Sequence, residues 1–258
     1  MNAFQFSSTT GSSRTRAARL RHWTALLALS ALALLISACS AGNSPTPPAP
    51  AEANPTSAGE SSDLVELTIG VSPVPHTEIL QFVQDNLAAD AGLTLTLIEF
   101  TDYVQPNLAL RDEQLDANFF QHAPYMEDFG AEHGFEMVAV ADVHIEPLGI
   151  YSKQVTDLAA VPEGALVAIP NDATNGGRAL RLLEASGLIT LREGADFTAT
   201  VQDIAENPKS LEIRELDAAQ LPRSLEDTTL SVINGNFALD AGLVPSQDAL
   251  ALENAEGN

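Results

Sequence analysis

Asn175, Gly176, Gly177 and Arg178 stand together in the segment IPNDATNGGRAL, residues 169–180. Asp172 and Thr174 are residue types that cap helices, and the residues from 174 to Ser186 read as a helix. Arg178 therefore falls in or near a first turn. A cation there works against the helix dipole, and two adjacent glycines lower helix propensity. The combination suits a site that holds an anion. A guanidinium is a planar fork of donors that fits a carboxylate with two parallel hydrogen bonds. The helix start adds free N–H groups, and the glycines let backbone come close to a ligand. Asn175, three residues before Arg178, shares a helix face with it. The alternative is that Arg178 pairs with one of the chain's own acids.

Other candidates lie in short polar and aromatic clusters: Tyr103 in TDY, Phe120, His122 and Tyr125 in FFQHAPY, and Asn234 in VINGN. If the FFQH strand persists, Phe120 and His122 share one face and Phe119 takes the other, toward the core. Asn234 ends an apolar run, where it either contacts a ligand or forms a turn. The chain has no G-x-S-x-G, no H-E-x-x-H and no phosphate-binding glycine loop, so an enzyme is not expected. His122 and His133 are 11 residues apart. On one helix that is about 16 Å, too far to share a zinc ion bound at about 2 Å. No metal site and no cofactor are expected.

The composition excludes further classes. The 258 residues include 35 Asp+Glu and 12 Lys+Arg, and four of the basic residues (Arg14, Arg16, Arg19, Arg21) precede residue 22, before any acid. The remainder is strongly acidic. Nucleic acid binding needs a basic face and is not expected.

Residues 1–38 read as a signal peptide: the arginines, then the apolar run WTALLALSALALLIS (23–37), then small residues. The run is short for a membrane span. Cys39 is the single cysteine, placed immediately after it. Residues 40–63 hold five prolines and no large hydrophobe. With Cys39 they form an expected disordered tether over 39–63.

From Leu64 onward, strand-like and helix-like segments alternate. Strands are expected at 64–71, 93–100, 115–120, 135–145, 165–170, 210–216 and 228–234. Helices are expected at about 78–90, after Pro106, over PYMEDFGAEHG, at 174–186 and over AAQLPRSL. This is an α/β pattern with largely parallel sheets. The clusters SPVPH, TDY, QHAPY, NDATNGGR and NGN each follow a strand, where ligands bind in open α/β sheets. Loops drawn from both halves would converge in a cleft between two lobes.

The stretches DYVQPNLAL, LDANFFQHAPY, GIYSK, VAIPNDATNGGRAL, ENPKSLEIREL, AAQLPRSL and VINGNFALDAGL, in this order from about residue 67 to 252, resemble the methionine-binding lipoproteins of ABC importers, the NlpA/MetQ family. LISAC resembles the family's lipobox, with Cys39 as the lipid-bearing residue. The resemblance implies a two-lobed periplasmic-binding-protein-like fold of type 2, with a mostly parallel sheet flanked by helices in each lobe and the ligand cleft between them. It implies lobe 1 at 64–145, lobe 2 at 146–233, and a return to lobe 1 over 234–258, with crossovers near 143–152 and 231–236. It implies capture of methionine at the extracytoplasmic face of the cell membrane and delivery to an ABC permease and ATPase. Arg178, Asn175 and Asn234 would then hold the amino-acid end, and Tyr103, Phe120 and His122 would wall the thioether. Another small amino acid or a methionyl dipeptide is the alternative ligand, and a metal-binding lipoprotein is the less favoured alternative function. The sequence departs from the family at Ala173, where proline is common, and at Phe237, where tyrosine is frequent. It also stops at ALENAEGN, where the family pattern continues into a strand and a long helix. The resemblance therefore implies two missing elements, with sheet edge and apolar surface left uncovered.

Overall fold

The computed structural model describes residues 64–254. The expected signal peptide, Cys39 and the tether lie outside the described residues. Three strands, β1 (Val65–Val71), β2 (Leu93–Glu99) and β3 (Ala117–Phe119), form a parallel sheet in the order β2-β1-β3. Parallel neighbours require crossover connections. These are supplied by α1 (Glu78–Val83), whose helical path continues to Ala88, and by α2 (Gln105–Arg111). Pro106 lies in the first turn of α2, where its missing N–H removes no helical bond. α3 (Ala123–His133) follows β3 and ends on Gly134 at φ 62°, a conformation that glycine adopts without strain.

The strand expected over 135–145 does not form. This stretch is irregular and unpaired, and Val138 and Val140 are 85% and 93% exposed. Its alternating valines favour extended chain, but that preference is realised against a neighbouring strand. Among the described residues, none runs beside it.

Beyond residue 148 come β4 (Gly149–Tyr151), β5 (Leu166–Pro170), β6 (Thr190–Leu191), β7 (Ile204–Glu206), β8 (Glu212–Leu216), β9 (Leu230–Ile233) and β10 (Ala251–Leu252). The second sheet has the order β10-β4-β9-β5-β8. β9, β5 and β8 are parallel, whereas β4 and β10 add antiparallel. Among the described residues β6 and β7 pair only with each other, in a ribbon the sequence pattern did not suggest.

α4 (Ala173–Ala185) presses Ala179, Leu180, Leu182 and Leu183 onto Val167, Ile169, Leu230 and Val232. Each fully buried leucine or isoleucine contributes about 1.5–3 kcal/mol, so this cluster is the main core. The first sheet is more thinly covered: α1 buries none of its residues fully, and Phe82 is 61% exposed.

The chain end departs from expectation. α5 (Gly235–Asp240) does touch the Pro73–Thr77 turn of the first lobe. β10, however, pairs with β4 in the second sheet rather than with the first. The open edge of β4 provides the partners. Leu250 N–H donates to the Ile150 carbonyl at 2.7 Å, and Glu253 N–H donates to the Leu148 carbonyl at 2.8 Å.

Candidate functional site

The carboxyl ends of β1, β2, β3, β5 and β9 carry His76, Tyr103, Phe120 with His122, Asp172 and Asn234 in turn. Tyr103 and Phe120 are in ring contact, and Tyr103 and Asp172 line the same slit. The polar part is built on the start of α4. Asp172 is its N-cap and accepts from the Asn175 backbone at 2.9 Å and from Asn175 Nδ2 at 3.0 Å. That locks the Asn175 amide with its oxygen turned away from the cap. Asn175 Oδ1 then accepts from Arg178 Nη1 at 3.1 Å and from Asn234 Nδ2 at 2.9 Å. The structure thus joins Asn175, Arg178 and Asn234 in one buried network.

Arg178 sits past the first turn of α4, so the dipole penalty is smaller than its sequence position suggests. Its two-pronged edge is also already occupied. Nε donates to Glu253 Oε1 at 3.0 Å and Nη2 donates to Glu253 Oε2 at 2.6 Å. Nη2 also donates to the Glu146 carbonyl at 3.1 Å. Pairing with one of the chain's own acids is therefore what the structure shows for that edge. Of the five N–H groups of a guanidinium, one on Nη1 is left for another partner.

The glycines have a packing cause. A Cβ on Gly177 would lie 2.0 Å from the Phe197 carbonyl oxygen, and one on Gly176 would lie 3.0 Å from that of Pro170. Backbone of this protein, rather than a ligand, approaches them.

The aromatic part lies opposite. The Tyr103 ring is 5.8 Å from Phe120, 5.8 Å from Tyr125 and 4.9 Å from Phe237. The Tyr125 hydroxyl donates to the Tyr103 carbonyl at 3.1 Å. β3 ends at Phe119, so the strand alternation does not extend to His122. His122 nevertheless joins the cluster, its ring stacked on Tyr125 at 6.4 Å. Phe119, expected in the core, is only partly buried and packs against His76 and His144.

Burial and Arg178 push the His122 imidazole down to about 3, so it is neutral at physiological pH. Burial, with the charges of Glu146 and Asp172, holds the Tyr103 hydroxyl well above its ordinary value. That hydroxyl donates to Asn236 Oδ1 at 2.5 Å and so ties the first lobe to the Gly235–Asp240 helix, which packs on the second sheet. Between Tyr103, Tyr125, Asp172 and Phe237 remains a slit of about 50 Å³. An open depression of about 560 Å³ around Ser152–Leu158 and Gln247–Leu250 lies past the end of β4. β4 runs against β9, so this depression is at the opposite end of the strands from the site.

Among the described residues, two polar atoms in the site are buried without partners: Asn234 Oδ1 and His122 Nε2. Buried polar atoms are nearly always satisfied by protein, water or ligand, so each of these atoms is open to a polar partner. Sequence reasoning missed Glu253, Asn236 and Glu146. Asn236 had a signal in NGN, whereas Glu253 was one acid among 35. His76, His144 and Glu146 also converge, with ligand-capable atoms within 4.8 Å of one another.

Comparison with known proteins agrees with this architecture. A model of the NlpA lipoprotein family matches residues 67–258. The probable D-methionine-binding lipoprotein MetQ of Vibrio cholerae is 44% identical over 74% of this chain and 71% of its own length. The D-methionine-binding lipoprotein MetQ of Escherichia coli is 40% identical over 76% and 73%. A nutrient binding protein from Burkholderia cenocepacia, solved bound to methionine, is 48% identical and superimposes with a TM-score of 0.71 over 73% of this chain and 80% of its own.

Proposed function

The chain belongs to the NlpA lipoprotein family, and from that premise we propose that it captures methionine between its lobes for delivery to an ABC importer. Its relatives are named for binding, not for turnover. The observation that carries the reading is the acceptor Asn234 Oδ1, buried without a partner among the described residues, on the same Asn175-centred network as the remaining donor of Arg178.

A zwitterionic amino acid matches that set. Its carboxylate accepts from Arg178 Nη1, and its ammonium donates to Asn234 Oδ1. Asn175 orients both partners. The thioether lies against Tyr103, Phe120 and His122, since sulfur is polarizable and gains from contact with ring edges. Glu253 positions the guanidinium and keeps it from being an unpaired buried charge before ligand arrives. Closure is a hinge motion that shifts population toward the form in which Tyr103 meets Asn236.

In the same proposal a lipid on Cys39 and the tether over 39–63 hold lobe 1 (64–145) and lobe 2 (146–233) at the extracytoplasmic face of the membrane. A tether raises effective concentration near a permease. One acyl chain binds weakly, so stable anchoring needs a second.

The test is calorimetric titration of the full chain, unfolded and refolded to remove co-purified ligand. L-methionine, D-methionine, a methionyl dipeptide and leucine are the comparators. One methionine isomer bound at one site per chain, well ahead of leucine, is expected. A folded protein that binds leucine as tightly as methionine would sink the assignment.

A further inference from the structure

We propose that His76, His144 and Glu146 form a binding site for a divalent transition metal ion of the zinc class, at the junction of the first lobe with the crossover to the second. His76 lies in the turn after β1, and His144 and Glu146 lie in the segment leading to β4. His144 Nε2 is 3.0 Å and His76 Nε2 is 3.9 Å from the same oxygen, Glu146 Oε1. The three ligand-capable atoms lie within 4.8 Å of one another. Tetrahedral zinc with bonds of about 2.0–2.1 Å places its ligands about 3.4 Å apart, so small side-chain shifts complete the triad.

A simple hydrogen-bonded cluster accounts for His144 and Glu146 but not for His76. His76 is 2% exposed. Among the described residues its Nδ1 has no partner in hydrogen-bond geometry, the Val74 backbone reaching the ring only loosely, and 3.9 Å is too long for a hydrogen bond from Nε2. An imidazole buried in this way is costly unless something else engages it. The ring is also held in place: it packs edge-on against Phe119 at 4.6 Å and lies 5.0 Å from His144. The side chains of His144 and Glu146 are 24% and 21% exposed, which opens a path from solvent to the deeper imidazole. Two imidazoles and one carboxylate favour zinc, cobalt, nickel or ferrous iron over calcium or magnesium, which require mostly oxygen ligands. Spacing argues against a zinc site on His122 and His133; the fold assembles a different pair.

The test uses the full chain, stripped with chelator and then freed of it, titrated with Zn²⁺ alone at pH 7.5. One ion per chain is expected, with a raised melting temperature. His144→Ala and His144→Gln are each expected to weaken that affinity at least tenfold, while His133→Ala leaves it unchanged. Co²⁺ is expected to give a visible ligand-field band in the parent that both His144 variants lose. No uptake by the folded parent overturns the proposal. So does uptake that either His144 variant retains in full. Circular dichroism of the two variants separates lost ligation from lost fold.

Discussion

Arg178 and Glu253, 75 residues apart, form a two-pronged ion pair at 3.0 and 2.6 Å, with side chains only 5% and 8% exposed. The candidate cation of the site is therefore neutralised before any ligand arrives, and its geometry is set by the strand that ends the described chain. The pair gives the first prediction. Glu253→Gln leaves a buried guanidinium without its counter-charge. Breaking such a pair costs about 3–5 kcal/mol, or roughly 10 °C in melting temperature for a domain of this size. Methionine brings a replacement carboxylate, so it should raise the melting temperature of Glu253→Gln by more than that of the parent. Calorimetric melts with and without methionine measure this. Equal ligand shifts would show that the carboxylate does not go to Arg178.

Asn234→Ala removes the acceptor assigned to the ammonium. Hydrogen bonds to charged groups are worth about 1.5–3 kcal/mol, so methionine affinity should fall about 10- to 100-fold by titration calorimetry. Parent-like affinity would move the ammonium elsewhere in the site.

Tyr103→Phe keeps the ring contacts with Phe120 and Phe237 but deletes the bond to Asn236. It leaves the Asn236 oxygen short of a partner, at about 1–3 kcal/mol. The closed population and methionine affinity should fall together. Small-angle scattering with saturating methionine reports the first and calorimetry the second. A variant that closes like the parent would mean this bond does not hold the lobes.

The pH dependence follows from two histidines. Burial and Arg178 push His122 down to about 3, and burial and His144 push His76 down to about 4. In the unfolded chain both take a proton near 6.5. Between those limits the unfolded state binds more protons, so the stability they contribute is full above pH 6.5 and is lost as pH falls toward 4. Glu146, raised by burial and facing His76 and His144, works partly the other way. His122→Gln should flatten the fall between pH 6.5 and 5 by up to about 1.4 kcal/mol per pH unit, read by denaturant unfolding at each pH. An unchanged slope would mean that His122 is charged in the fold.

What could be read in advance was local or carried by motif. β5 is visible as an unbroken apolar run because its residues are buried on both faces. The start of α4 is visible because Asp172 caps the very next residues. Residues 135–145 misled for the converse reason: their alternation matches a strand, but a strand also requires a neighbour. The partner of Arg178 was hidden because the pairing of β10 with β4 delivers Glu253, and no local pattern marks that register. His76 and Glu146 meet through the same kind of long-range placement.

The contact between Tyr103 and Asn236 also sets a clock. With the lobes joined there, the slit of about 50 Å³ beside Tyr103 has room for a few waters and no passage for an amino acid. On the proposed function, methionine would arrive only during the fraction of time that the lobes stand apart, and the association rate would be the encounter rate scaled by that fraction. Departure waits on the same event. Residence time would then depend on one hydroxyl and one amide that need not touch the cargo, together with the contact of the Gly235–Asp240 helix on the Pro73–Thr77 turn.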